Sequence, residues 1–156
     1  MPFHEPKNHS LLESIDLVGT SKLQAYVVYE DRDEQMWWQK PLKKGFKHSF
    51  LVIYDGYFWI KMELTIGFMD ICVLPFYNNN TIEDILRGTK CTYQLVQVWR
   101  RQRYRNILAP WSCIEAIKAA LGIRALHVLT PYQLFKYIEA HHGKENTRTI
   151  TLPTKS

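Results

Sequence analysis

Cysteine is scarce in this chain: Cys72, Cys91 and Cys113 make three in 156 residues, an odd set with no Cys-x-x-Cys spacing. That pattern fits a reduced, intracellular setting rather than a disulfide framework. Long apolar runs are missing as well. None approaches the roughly 18 consecutive residues of a membrane span, and residues 1–10 lack an apolar signal core, so the expectation is a cytoplasmic protein with no transmembrane segment. No Gly-rich phosphate loop and no dinucleotide fingerprint is present, which removes the common nucleotide-binding classes. His4, His9 and the pair His141-His142 offer no metal-ligand spacing, so neither metal nor cofactor is expected. Internal repeats are absent too.

What is present suits one compact domain. Hydrophobic residues make up 46% of the chain and aromatics 13%, enough for a core of ordinary size. Twenty Lys and Arg against fifteen Asp and Glu leave a formal charge of +5, which favours anionic surfaces without singling out nucleic acid. The run Arg100-Arg101-Gln102-Arg103-Tyr104-Arg105 mixes cations with an aromatic. It suits an acidic peptide, an anionic lipid or nucleic acid, and equally a solvated loop.

Residue patterning predicts an α+β fold. Strands are expected over 24–29, 48–54, 57–64, 68–74 and 91–99, where β-branched and aromatic residues concentrate, and a short one over 126–129. A helix is expected over 11–18, another from Thr81 through Leu86 to a stop at Gly88, and a third from Cys113 to Gly122. Thr130-Pro131 supplies an N-cap and first-turn proline for a last helix to about His142. A single domain over 1–143 is expected, with a disordered polar tail over 144–156.

Chemistry concentrates at three positions. In Ser112-Cys113-Ile114-Glu115 the serine reads as an N-cap and the glutamate as its capping-box partner, which puts the thiol in the first turn of a helix. Unpaired amides and the positive end of the helix dipole there favour an anionic sulfur. Asp55-Gly56 between two strand-like runs predicts a two-residue hairpin turn, pairing Tyr54 with Tyr57 and, counted outward, His48 with Glu63. Directly opposed side chains share a face, so the carboxylate is expected to orient the imidazole toward the thiol. Each feature also has an ordinary reading, since free cysteine is commonly a small buried hydrophobe and a strand-end glutamate a solvated charge.

The order histidine strand, acidic partner, further strands, then cysteine helix resembles the circularly permuted papain-like fold of permuted NlpC-type peptidases and lecithin:retinol acyltransferase-like enzymes. Lys47-His48-Ser49-Phe50-Leu51-Val52 looks like the histidine strand, and Trp111-Ser112-Cys113-Ile114-Glu115-Ala116 like the cysteine helix. Residues 113–137 also look similar to short bacterial and phage proteins of this type. The resemblance implies an antiparallel sheet of four or more strands packed against the cysteine-bearing helix. It further implies a hydrolase or acyltransferase acting on an amide or ester of a peptide or acyl substrate, a cell-wall peptide being preferred. Cys113 would be the nucleophile, forming a thioester, with His48 as base and then acid and Glu63 as orienting group. Trp38, Trp59 and Trp111, with Arg101 and Arg103, are the expected substrate-binding residues. The alternative is a non-catalytic binding or assembly module, for instance a virion-associated phage accessory protein using the basic run for attachment.

Overall fold

The computed structural model describes residues 22–32, 37–65, 68–75, 79–89, 91–99, 112–141 and 149–150. Strands β1 (Lys22–Glu30), β2 (His48–Tyr54), β3 (Trp59–Thr65), β4 (Phe68–Leu74), β5 (Thr92–Trp99) and β6 (Thr149–Ile150) form one sheet in the order β4-β3-β2-β1-β5-β6. Every neighbouring pair is antiparallel. Among the described residues three α-helices, α1 (Asn79–Gly88), α2 (Cys113–Leu121) and α3 (Pro131–His141), complete the α+β architecture.

The sheet is covered on both faces at its centre. β1 lies between β2 and β5, and its stretch from Ala25 to Tyr29 is wholly buried. Successive strand residues point to opposite faces. Ala25, Val27 and Tyr29 accordingly pack with Leu51, with Ile114, Ile117 and Leu121 of α2, and with Leu134, Phe135 and Ile138 of α3. Tyr26 and Val28 enter a second cluster with Val52, Trp59, Tyr93 and, from α1, Ile82 and Leu86. Two apolar layers, one on each side of the sheet, explain why β1 reads as a continuous hydrophobic run rather than an alternating one.

Three expectations need correction. The 126–129 stretch is not a strand. Side chains take two of its backbone groups and two flanking ones: Lys118 Nζ donates to the Ala125 and Val128 carbonyls at 2.8 and 2.9 Å, and Gln133 Oε1 accepts from the Leu129 and Thr130 amides. Within the expected tail, Thr149 and Ile150 pair with Gln94 and Tyr93 of β5. The hairpin between β2 and β3 is also wider than two residues. Asp55 Oδ1 accepts from the amides of both Tyr57 and Phe58 at 2.7 Å, and Asp55 N donates to the Phe58 carbonyl at 3.1 Å, so residues 55–58 form the turn and Tyr54 pairs with Trp59. An aspartate that binds the amides following it is a turn in its own right, and here it overrides the Asp-Gly signal. The expected helix at 11–18 lies outside the described residues.

Candidate functional site: a polar cluster and a thiol on opposite faces

The wider hairpin displaces the β2–β3 register by two residues. One step beyond the Leu51–Met62 pair, Phe50 stands across from Glu63. A displacement by two keeps every side chain on its original face, whereas a displacement by one would reverse them all. His48 therefore meets Glu63 diagonally, within the reach of long side chains, and His48 Nε2 lies 3.0 Å from Glu63 Oε1.

Both groups are buried and belong to a larger network. Glu63 Oε1 also pairs with Arg32, and Oε2 with Lys61 Nζ at 2.6 Å. Lys61 lies over the Phe50 ring. Arg32 Nε donates to Glu30 Oε1 at 3.4 Å, and Glu30 is the β1 residue directly opposite His48. Burial first, then the positive charges of Arg32 and Lys61, lower the His48 pKa from 6.5 to about 4. The imidazole is thus neutral near pH 7. Glu63 does not hold a proton on the ring because its charge is already matched by two cations.

Ligand atoms of Glu30, His48 and Glu63 lie within 4.8 Å of one another, a spacing that could hold a metal ion. Arg32 and Lys61, however, already engage both Glu63 oxygens. Two carboxylates and two cations balance without an ion, and a divalent metal would first have to displace the cations.

Cys113 stands elsewhere. It is the first residue of α2, whose N-cap Ser112 has extended backbone geometry and accepts from the Glu115 amide at 3.3 Å. The reciprocal half of the capping box is replaced, because the Glu115 carboxylate turns to Lys118 Nζ at 2.5 Å. Gly122 closes the helix with φ 69°, a left-handed cap suited to glycine. The half-buried thiol packs with the first apolar cluster. It lines a small, open crevice together with Ser49, Leu51, Met62, Glu63, Met69 and Ile117. Ser49 is fully buried there, and its hydroxyl has no hydrogen-bond partner among the described residues.

Unbroken β1–β2 pairing from His48 to Tyr54 makes Ser49, Leu51 and Ile53 the face that meets α2. His48, Phe50 and Val52 are on the other. The expected approach of the His48 ring to the Cys113 sulfur is therefore corrected: the sheet stands between them. The expected contact of His48 with Glu63 is present, by a diagonal route.

Trp59 is also corrected as a cleft wall, since it is 0% exposed and packs against Tyr26 and Tyr54 in the second cluster. Trp111, Arg101 and Arg103 lie outside the described residues, and so does the side chain of Trp38 within the 3-10 turn Trp37–Gln39. Residues missed from the sequence are Glu30, Arg32 and Lys61. Lys61 carried a readable signal, because it precedes Glu63 by two on one strand and so shares its face. Glu30 and Arg32 did not, because their place beside His48 depends on pairing between β1 and β2. No helix among the described residues is long and apolar enough to cross a membrane. No family model, curated protein or solved structure matches this chain.

Proposed function

We infer that the chain works as a binding or assembly module that engages a partner through the outer edge of its sheet. The observation that carries this reading is β4. Among the described residues it is the last strand on its side of the sheet, and Phe68 is 63% exposed, Met69 38%, Ile71 59% and Val73 58%. Edge strands are usually blunted by lysine, proline or a bulge against unwanted pairing. Between Phe68 and Leu74 only Asp70 is charged, and there is no proline. A contiguous apolar edge of this kind marks an interaction surface, and pairing a further strand onto it is a general mode of recognition.

Hydrogen exchange tests the reading. In dilute solution the outward amides of β4 should exchange as freely as those of a loop, and they should gain protection of at least about tenfold when a partner is bound. Slow exchange of these amides in the dilute, isolated chain would show that the edge is already covered and would dismiss the proposal.

A second reading is a cysteine hydrolase or acyltransferase of the permuted papain-like type, acting on an amide or ester through a Cys113 thioester. Its support is the thiol's place in the first turn of α2, capped by Ser112 and open to a crevice. It draws no support from His48, which lies across the sheet, and would need a base from residues beyond those described.

A further inference from the structure

We propose that Cys113 is a site of reversible oxidation by peroxide, and that the sulfenic acid formed there is held by the Ser49 hydroxyl in the crevice the two residues share. The site is independent of the β4 edge and needs neither a base nor an acyl substrate.

Ser49 supplies what a thiol alone does not. It is wholly buried, and its Oγ has no hydrogen-bond partner among the described residues. Burying a hydroxyl without a partner is unfavourable, so such a group in a folded protein marks a place for a further polar atom. Ser49 belongs to the β2 face that meets α2, and it lines the crevice together with Cys113. That crevice has room for about one water-sized group, which matches the single oxygen that separates a thiol from a sulfenic acid. The helix adds donors of its own. In the first turn of α2 the Glu115 amide is taken by Ser112 Oγ, and helix geometry leaves the Cys113 and Ile114 amides without an intrahelical acceptor. These donors and the Ser49 O–H favour an oxygen on the sulfur over the bare thiol, whose sulfur accepts hydrogen bonds only weakly.

Placement also decides what the oxidised sulfur meets. Cys72 pairs with Lys61, and Lys61 with Val52, so Cys72 shares the face turned away from α2. Cys91 belongs to the second apolar cluster on that same side. With the sheet between, neither thiol reaches Cys113 to close a disulfide within the chain.

In the oxidation the thiolate sulfur attacks one peroxide oxygen, an S–O bond forms as the O–O bond breaks, and the departing hydroxide takes up the thiol's proton to become water. Sulfur gives up two electrons and peroxide gains them. A small thiol reverses the change: it displaces the added oxygen as water to give a mixed disulfide, and a second thiol then releases reduced Cys113 as the small disulfide forms.

The test is a pulse of hydrogen peroxide on the full chain, quenched with catalase, with dimedone added after increasing delays. Peptide mass spectrometry reads the adduct at each cysteine. Dimedone labels sulfenic acid and not methionine sulfoxide, so oxidation of Met62 or Met69 at the crevice does not interfere. Expected is a Cys113 adduct that dithiothreitol given before the dimedone abolishes. Its sulfenic acid should outlive that of the exposed Cys72 by at least about fivefold, the worth of one hydrogen bond. Ser49→Ala should remove that advantage while leaving the alkylation rate of reduced Cys113 and the Cys72 lifetime unchanged, a separation that a merely structural role for Ser49 does not produce. The variant deletes an unpaired buried hydroxyl and is expected to fold, which a thermal melt checks; if it does not, the comparison of Cys113 with Cys72 in the parent chain decides. Absence of a Cys113 adduct overturns the proposal, as does a Cys113 lifetime no longer than that of Cys72 or one indifferent to Ser49→Ala. A disulfide joining Cys113 to Cys72 or Cys91 overturns it too.

Discussion

His48 shows how far a residue's chemistry is set by its neighbours. In an unfolded chain its pKa is near 6.5, while burial and the charges of Arg32 and Lys61 hold it at about 4 in the folded protein. The groups facing it are Glu30, Arg32, Lys61 and Glu63. Because the unfolded state takes up the proton more readily, this residue's contribution is complete above pH 6.5 and is lost as pH falls from 6.5 toward 4. The loss amounts to about 2–3 kcal/mol. Urea denaturation at pH 7, 5 and 4 should show that decline, and His48→Gln should flatten it between pH 6.5 and 4. An unchanged slope in the variant would assign the decline to other groups. The histidine, its carboxylate and their contact were legible in the sequence. The two cations that add to the effect of burial on its protonation state were not recognised, since Arg32 depends on a long-range strand pairing.

At the scale of elements, α2 and the connection to α3 are held by a lysine that periodicity would place in water. Lys118 is fully buried, and its ammonium binds the Ala125 and Val128 carbonyls and the Glu115 carboxylate. Two carbonyls accept hydrogen bonds from the ammonium, and the Glu115 carboxylate stands in ion-pair contact with it. Lys118→Ala should cost about 3–5 kcal/mol, because it leaves buried acceptors and a carboxylate without their partner. Chemical denaturation reads that loss, and a change below about 1 kcal/mol would mean that water replaces the amine. The same contact explains why 126–129 is not a strand despite its β-branched and apolar content. The Val128 carbonyl and that of the preceding Ala125 are committed to this side chain. By contrast, the start and stop of α2 were legible, since Ser112 and Gly122 act locally through the backbone.

At the scale of the molecule, the sheet divides the chemistry into two compartments, with the thiol on the α2 side and the imidazole on the α1 side. The consequence is measurable. His48→Ala should leave the alkylation rate of Cys113 at pH 6 unchanged within about twofold, whereas an imidazole paired with the thiolate would make that rate fall by far more. Peptide-level mass spectrometry distinguishes Cys113 from the exposed Cys72 and the buried Cys91. A tenfold or larger fall would place the ring beside the sulfur and revive the catalytic pair. By itself the sequence determined the five long strands, the three described helices, the caps of α2 and the contact between His48 and Glu63. All of these follow from short-range patterns: alternation, capping residues and a hairpin whose two-residue error preserved the faces. Only the tertiary structure decided which face each strand turns to which helix, that Trp59 is core, and that β4 ends the sheet among the described residues. Those outcomes depend on pairing between residues far apart in the chain, above all of β1 with β2 and β5, and the identity of neighbouring residues does not encode which strand will lie alongside.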